Sequence, residues 1–172
     1  MPKNFKIVGD KAFAFMTSLE DVKFENENTK IEENAFGCCY NLKSVILPKN
    51  LKVRPTNLFF NCVNLENVEF GDIEEIESAF FNTLNLTKLI LPESLKKLDE
   101  NFIYISPCLL PDNYKNTANS YRMEVFSHAK DDINKVVKKN KFANLRELSL
   151  DKLLDAGKSF KEINNAYKET ER

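Results

Sequence analysis

The amino-acid sequence predicts an α/β-type repeat solenoid followed by a helical C-terminal extension. Two observations carry this prediction: an apolar pattern that recurs every 23 residues through most of the first hundred positions, and a change to three-to-four spacing after Asn116. A fixed period of about 20–50 residues is typical of solenoids, because each unit is too small to bury its own apolar face and must stack on its neighbours.

Each repeat begins with an apolar pair, and further apolar residues follow the second member of the pair at spacings of three, three, three and two. The clearest copy is Ala35-Phe36-x-x-Cys39-x-x-Leu42-x-x-Val45-x-Leu47. The other copies begin at Ala12, Leu58 and Ala79, and the spacer before the last of them is shorter by two residues. These units predict a short array with one continuous core.

The second half of each unit is predicted to be a short strand, because it is rich in β-branched and aliphatic residues. Side chains alternate across a strand, so Val45 and Leu47 are expected to face the core, and Ser44 and Ile46 to face outward. The first half of each unit is expected to return as a short helical or turn-like segment that packs on the strand layer.

These units resemble BspA-type leucine-rich repeats, whose consensus runs roughly Ile-x-x-x-Ala-Phe-x-x-Cys-x-x-Leu-x-x-Ile-x-Ile-Pro. The frame covers about residues 7–98, and the best copy runs from Ile31 to Pro48. Met16 and Thr83 stand where the consensus has Cys. The resemblance implies a short leucine-rich-repeat array that forms a curved solenoid, with a role in adhesion or protein binding.

The distribution of charge and two prolines that interrupt the repeat divide the chain into two predicted parts. Residues 1–111, the solenoid with its cap, hold 12 Lys and Arg against 16 Asp and Glu, whereas residues 112–172, the α-helical extension, hold 13 against 10. A fifth repeat begins but is broken by Pro107 and Pro111, so residues 99–111 are interpreted as the cap. Terminal repeats are often atypical because they must cover an open apolar end.

The extension contains one strongly amphipathic pattern. Its apolar residues are spaced by three or four, which predicts a helix that carries Tyr121, Val125, Ala129, Ile133 and Val136. The basic residues that follow suit the C-terminal end of a helix dipole.

Three capping signals follow this predicted helix and indicate further helices. Asn144 with Glu147 can form a capping box, Ser149 can instead cap a short helix, and Ser159 with Glu162 can form a second box. Helices are therefore expected along most of the extension.

The string from Leu153 to Ile163, with Gly157 between two predicted helices, resembles the first half of a helix-turn-helix unit. A helix-ending glycine followed by a capping box produces the same string without any DNA. A nucleic-acid-associated or regulatory role through the basic helices is therefore the second hypothesis. The overall net charge of −1 adds no electrostatic argument for it.

The sequence carries no recognisable catalytic, cofactor or metal pattern. Cys39 and Cys62 hold the same repeat position, and they are predicted to be reduced packing residues. The single histidine, His128, has no second His for a metal site, and there is no glycine-rich phosphate loop. The sequence therefore predicts a protein that is not an enzyme and that uses no cofactor or metal.

The predicted binding surface is the outward face of the strand layer. Its two columns are expected to be Asp21, Ser44, Asn67 and Lys88, and Lys23, Ile46, Glu69 and Ile90. Two outward isoleucines ringed by charges suit a protein partner. The alternatives are that the isoleucines lie beneath the C-terminal helices of the same chain, or that they are scattered surface residues.

Together these features predict a non-catalytic protein–protein interaction module, an adaptor or small inhibitor that binds through the strand face, the C-terminal helices or both. The first residues show no apolar run of signal-peptide length, and no segment approaches about 18 apolar residues, so a cytoplasmic protein without a membrane partner is expected. The expected state is a monomer or homodimer. A surface adhesin is the third hypothesis, if a secretory leader is missing from the sequence.

Overall fold

A computed structural model describes residues 1–104, 123–127, 131–140 and 143–147. In chain order its elements are β1 (Ile7–Val8), β2 (Asp21–Lys23), β3 (Lys30–Ile31), β4 (Ser44–Ile46), β5 (Val53–Arg54), β6 (Asn67–Glu69), β7 (Glu75–Ile76), β8 (Phe80–Phe81), β9 (Lys88–Leu91), β10 (Lys97–Leu98), β11 (Ile103–Tyr104), β12 (Met123–Ser127), α1 (Asp131–Lys139) and β13 (Ala143–Glu147).

The strands build a β-solenoid of about four turns, because strands of successive turns pair in parallel, as β1 does with β3, β2 with β4 and β5 with β7. Val22, Val45 and Val68, which hold one repeat position, are Cα partners in β2, β4 and β6. One sequence repeat therefore corresponds to one turn, as the 23-residue period predicts.

The first half of each of the first three repeats forms turns, and that of the fourth contains the two-residue strand β8. This confirms the turn-like alternative, and because residues 1–104 contain no helix, it makes the α/β description wrong for them. The chain reverses at residues with left-handed backbone angles, and the asparagines among them, Asn34, Asn57, Asn61 and Asn82, have φ between 54° and 58°. Asparagine tolerates this region because its short polar side chain bonds locally. Part of the asparagine content of the chain is thus explained by the turns, where four asparagines adopt left-handed backbone angles.

The core contains a column of phenylalanines, one from each turn. Phe36, Phe59, Phe80 and Phe102 are fully buried. The ring centroids of Phe36 and Phe59 lie 6.2 Å apart, and those of Phe59 and Phe80 also lie 6.2 Å apart. Such stacked contacts stabilise by about 0.5–1.5 kcal/mol each beyond the burial of apolar area.

Cys39 and Cys62 are reduced thiols and fully buried, which confirms their predicted packing role. The Sγ of Cys39 donates to the Phe13 carbonyl at 3.0 Å, and the Sγ of Cys62 donates to the Phe36 carbonyl at 3.0 Å. Burial raises the pKa of the Cys39 thiol, which favours the protonated and less nucleophilic form.

The C-terminal extension contains two strands and one helix in the residues that the structure describes. β12 pairs in parallel with β9, and β13 with β12, so both strands extend the strand layer of the solenoid. Val125 of β12 and Val137 of α1 are fully buried. The prediction of an all-helical extension is therefore wrong for residues 123–127 and 143–147, and α1 accounts for a single short helix.

The helical prediction failed because the apolar residues that it placed on one helix belong to different elements. Val125 lies on β12 and Ile133 on α1, and both are buried in the same core. β9 presents an unpaired strand edge to the segment that follows, and pairing between distant segments overrides a local pattern. Asn144 and Glu147 lie inside β13 and cap no helix. The remaining capping signals, the helix-turn-helix-like string, Cys108 and His128 lie outside the described residues, and the boundary between residues 111 and 112 stays a prediction.

Asn140 joins the end of α1 to the last turn of the solenoid. Its buried side-chain amide donates to the carbonyl of Glu100 at 2.9 Å and to that of Ile103 at 3.1 Å. Its main-chain N–H donates to the Val136 carbonyl at 3.2 Å, so the same residue closes the helix.

Candidate binding cleft

The eight residues predicted to form the binding surface all lie on strands, but these strands belong to two separate sheets. Six of them form two paired rows across β2, β4 and β6: Asp21, Ser44 and Asn67, and Lys23, Ile46 and Glu69. Lys88 and Ile90 lie on β9, which pairs with β12 instead. The prediction of one continuous four-strand layer is therefore wrong between β6 and β9.

Within residues 1–104, no main-chain hydrogen bond joins β6 to β9. The N–H of Asn67 donates to the Lys43 carbonyl at 3.1 Å, and the Glu69 carbonyl accepts from the N–H of Leu47 at 3.0 Å. Successive residues of a parallel strand direct their main-chain groups to opposite sides, so those of Val68 point toward β9. The pairing of the strand layer stops at this position and resumes at β9.

A cleft of about 770 Å³ lies along this break. Four of the eight predicted surface residues line it, namely Asn67, Glu69, Lys88 and Ile90. The volume falls within the range of about 300–1,000 Å³ that is usual for ligand pockets.

The floor of the cleft is core surface that has become accessible. Val68 and Phe70 line the cleft and are only half-buried, although both hold core positions of the repeat. The matching positions in the flanking turns are all buried: Val45, Leu47, Leu89 and Leu91. The break in pairing therefore exposes apolar side chains that every neighbouring turn hides.

A shortened turn lies beside the cleft. Ile73 follows Phe70 by three positions, whereas the matching Leu51 follows Leu47 by four. Gly71 in this turn packs against the main chain of Lys49 in the preceding turn, and no side chain fits there.

Six charged residues surround the cleft, four acidic and two basic: Glu66, Glu69, Asp72, Glu93, Lys49 and Lys88. Their formal sum is −2, so the surroundings attract positive groups. Glu66, Asp72 and Glu93 are exposed, and salt therefore screens much of this attraction.

A family model described as BspA type Leucine rich repeat region matches residues 1–109 with six copies. The chain belongs to this family. The match confirms the resemblance identified over about residues 7–98 and extends it at both ends. No curated protein and no solved structure matches the chain.

The BspA-type pattern did not identify the floor of the cleft, because Val68 and Phe70 occupy positions that the repeat assigns to the core. Two signals of the break were nevertheless visible in the sequence. The spacer before Ala79 is two residues shorter than the others, and Gly71 stands where another turn has Pro48.

The part of the chain that the structure describes bears on two other kinds of site, a metal centre and a membrane span. There, no group of three or more His, Cys, Asp and Glu side chains could hold a metal ion. In the same residues, no helix is long and apolar enough to cross a membrane.

Proposed function

We propose that this BspA-type repeat protein is a non-catalytic protein-binding module, an adaptor or small inhibitor, that captures a protein partner on the outward face of β2, β4, β6 and β9. The observation that carries the proposal is the cleft, where half-buried Val68 and Phe70 bring core-type apolar surface within reach of solvent. Leucine-rich repeats commonly mediate protein–protein interaction or adhesion, which agrees with this role.

The arrangement around the cleft suits a protein interface. Val68, Phe70 and Ile90 supply an apolar centre, and Glu69 and Lys88 supply polar groups beside it. Binding energy in interfaces concentrates in a few apolar anchors surrounded by a polar rim that excludes water. The paired rows on β2 and β4 extend the same face beyond the cleft.

A site-specific photo-crosslinker tests this proposal without any assumption about the partner. The crosslinking amino acid replaces Glu69 or Lys88, which border the cleft, and Lys30, which is exposed on β3, serves as the control. In a lysate of the source organism, the two cleft positions should crosslink to a discrete polypeptide, and the Lys30 position should not. Equal crosslinking at all three positions, or none at the cleft, would remove the support for this face.

A further inference from the structure

We propose that the cleft receives one apolar side chain of a partner segment whose flanking residues are basic. This inference rests on the proposed protein-binding function and specifies the chemistry of the bound segment. Three properties of the cleft support it: its width, its floor and its charge.

The width favours a side chain over a whole strand. Cα atoms of β6 and β9 approach within 8 Å of each other. Inserting a strand between them requires two ladder spacings, or about 9.6 Å, whereas a single side chain requires less. A strand therefore does not fit between β6 and β9 in this structure, which leaves the cleft to a side chain from a segment that lies along the outer face, parallel to the strands.

The floor favours an apolar side chain. Val68 and Phe70 line the cleft from the core side, and Ile90 lines it from β9. In the flanking turns the positions of Val68 and Phe70 are closed by a paired neighbouring strand. An inserted Leu, Ile or Phe side chain would cover the same apolar atoms that strand pairing covers elsewhere.

The charge favours basic flanking residues. The carboxylates lie at both ends of the cleft, since Glu66 precedes β6, Asp72 follows it, and Glu93 follows β9. A segment that lies along the cleft, parallel to the strands, therefore meets Glu66 at one end and Asp72 and Glu93 at the other, and the two lysines of the cleft leave a net acidic surround. Lysine or arginine residues flanking the apolar anchor complement this arrangement, whereas acidic residues are repelled.

The probe that tests this chemistry is the peptide acetyl-Lys-Lys-Leu-Lys-Lys-amide, titrated against the full chain at low salt and monitored by calorimetry and by amide chemical shifts. We expect saturable binding with a Kd of about 1 mM or tighter, with shifts at Val68, Glu69 and Ile90. The peptide with Ser in place of Leu should bind about tenfold more weakly, since burial of a leucine side chain is worth more than one factor of ten. The peptide with Glu in place of every Lys should not bind, and added salt should weaken the parent peptide.

Two variants assign the binding to the cleft. Val68→Phe places a larger ring on the floor of the cleft and should weaken binding of the probe by about tenfold, because the ring occupies part of the space in which the anchor packs. Val53→Phe, at an exposed strand position elsewhere, is its control. If Val68→Phe does not fold, the triple variant E66Q/D72N/E93Q, at three exposed positions, provides the test. It should reduce both the affinity for the peptide and the salt dependence of binding. Its control neutralises three exposed acids away from the cleft: Glu27, Glu33 and Glu100.

The inference is overturned if the parent peptide does not saturate, if the Ser peptide binds equally well, or if the cleft and control variants lose affinity equally. These outcomes leave the broader proposal standing where the crosslinkers at Glu69 and Lys88 still capture a polypeptide. Absence of crosslinking with normal binding of the probe would instead support the cleft chemistry and count against a protein partner in the lysate used.

Discussion

Gly71 packs directly on the main chain of Lys49: a Cβ at Gly71 would lie 2.5 Å from the Cα of Lys49 and 2.6 Å from its carbonyl carbon. The adjacent Asp72 N–H donates to the carbonyl of Lys49 at 2.7 Å. Glycine is therefore required at this turn by close approach of two backbones. Both residues line the cleft, so the contact forms part of its wall.

Gly71→Ala should lower the free energy of unfolding by about 1–3 kcal/mol, since the new methyl group overlaps main-chain atoms that cannot move without disturbing the turn. Urea unfolding followed by circular dichroism measures the change. Gly9→Ala is the matched control, because the nearest atom to its Cβ is the Oε2 of Glu32 at 3.7 Å. The control should stay within about 0.5 kcal/mol of the parent protein. Equal effects at the two glycines would contradict the close packing at Gly71.

Cys39→Ser should destabilise the fold by about 1–3 kcal/mol, because the shorter side chain holds its hydroxyl farther from the Phe13 carbonyl and leaves it poorly hydrogen-bonded in a fully buried site. Cys39→Ala should cost less, since the Phe13 carbonyl still accepts from the N–H of Met16 at 3.3 Å. Urea unfolding of the two variants provides the comparison. Thiol labelling gives an independent check: Cys39 and Cys62 should label only slowly until denaturant is added. Rapid labelling of both thiols in the native protein would rule out their burial.

Cys39 should also make stability fall at alkaline pH. Burial raises its thiol pKa in the folded state above the value of about 8.5 for an exposed thiol. As the pH rises through the unfolded-state pKa, the unfolded chain loses a proton that the folded chain keeps, so the free energy of unfolding decreases. Between about pH 7.5 and pH 9.5, the urea midpoint should therefore fall further for the parent protein than for Cys39→Ala. Parallel curves for the two proteins would show that this thiol is not desolvated.

Replacing Ile46 and Ile90 together by Asp should abolish partner capture by a crosslinker at Glu69. Both isoleucines are only half-buried, so the fold should survive with a melting temperature within a few degrees of the parent. Val53→Asp, at an exposed apolar position on β5, is the control for nonspecific effects of the added charge. Loss of folding would show that the isoleucines are structural. Normal folding with unchanged capture would place the interface elsewhere.

The fixed period predicted the solenoid well, because each core position recurs at the same place in every turn and is buried there, as for Phe36 and Phe59. The cleft was not predictable in the same way. Its floor residues, Val68 and Phe70, are ordinary members of the repeat, and they become accessible only because β6 and β9 fail to pair. Strand pairing between distant segments also placed Val125 on β12, although its spacing from neighbouring apolar residues was that of a helix. The spacing of apolar residues along the sequence thus predicted which positions belong to the core. Strand pairing between turns determined which of these side chains are shielded from solvent.

Uneven coupling between turns gives the array an uneven stiffness. On the return side, turns three and four remain joined, since the N–H of Asn61 bonds to the Phe81 carbonyl at 2.9 Å and Phe59 stacks on Phe80. On the strand side the same two turns share no ladder bond. A repeat array behaves as a chain of nearest-neighbour contacts, so its least resistant joint governs its response to an applied load. Bending should therefore concentrate at this joint, with the return side as the pivot and the strand side opening or closing, while the paired turns before it move as one piece.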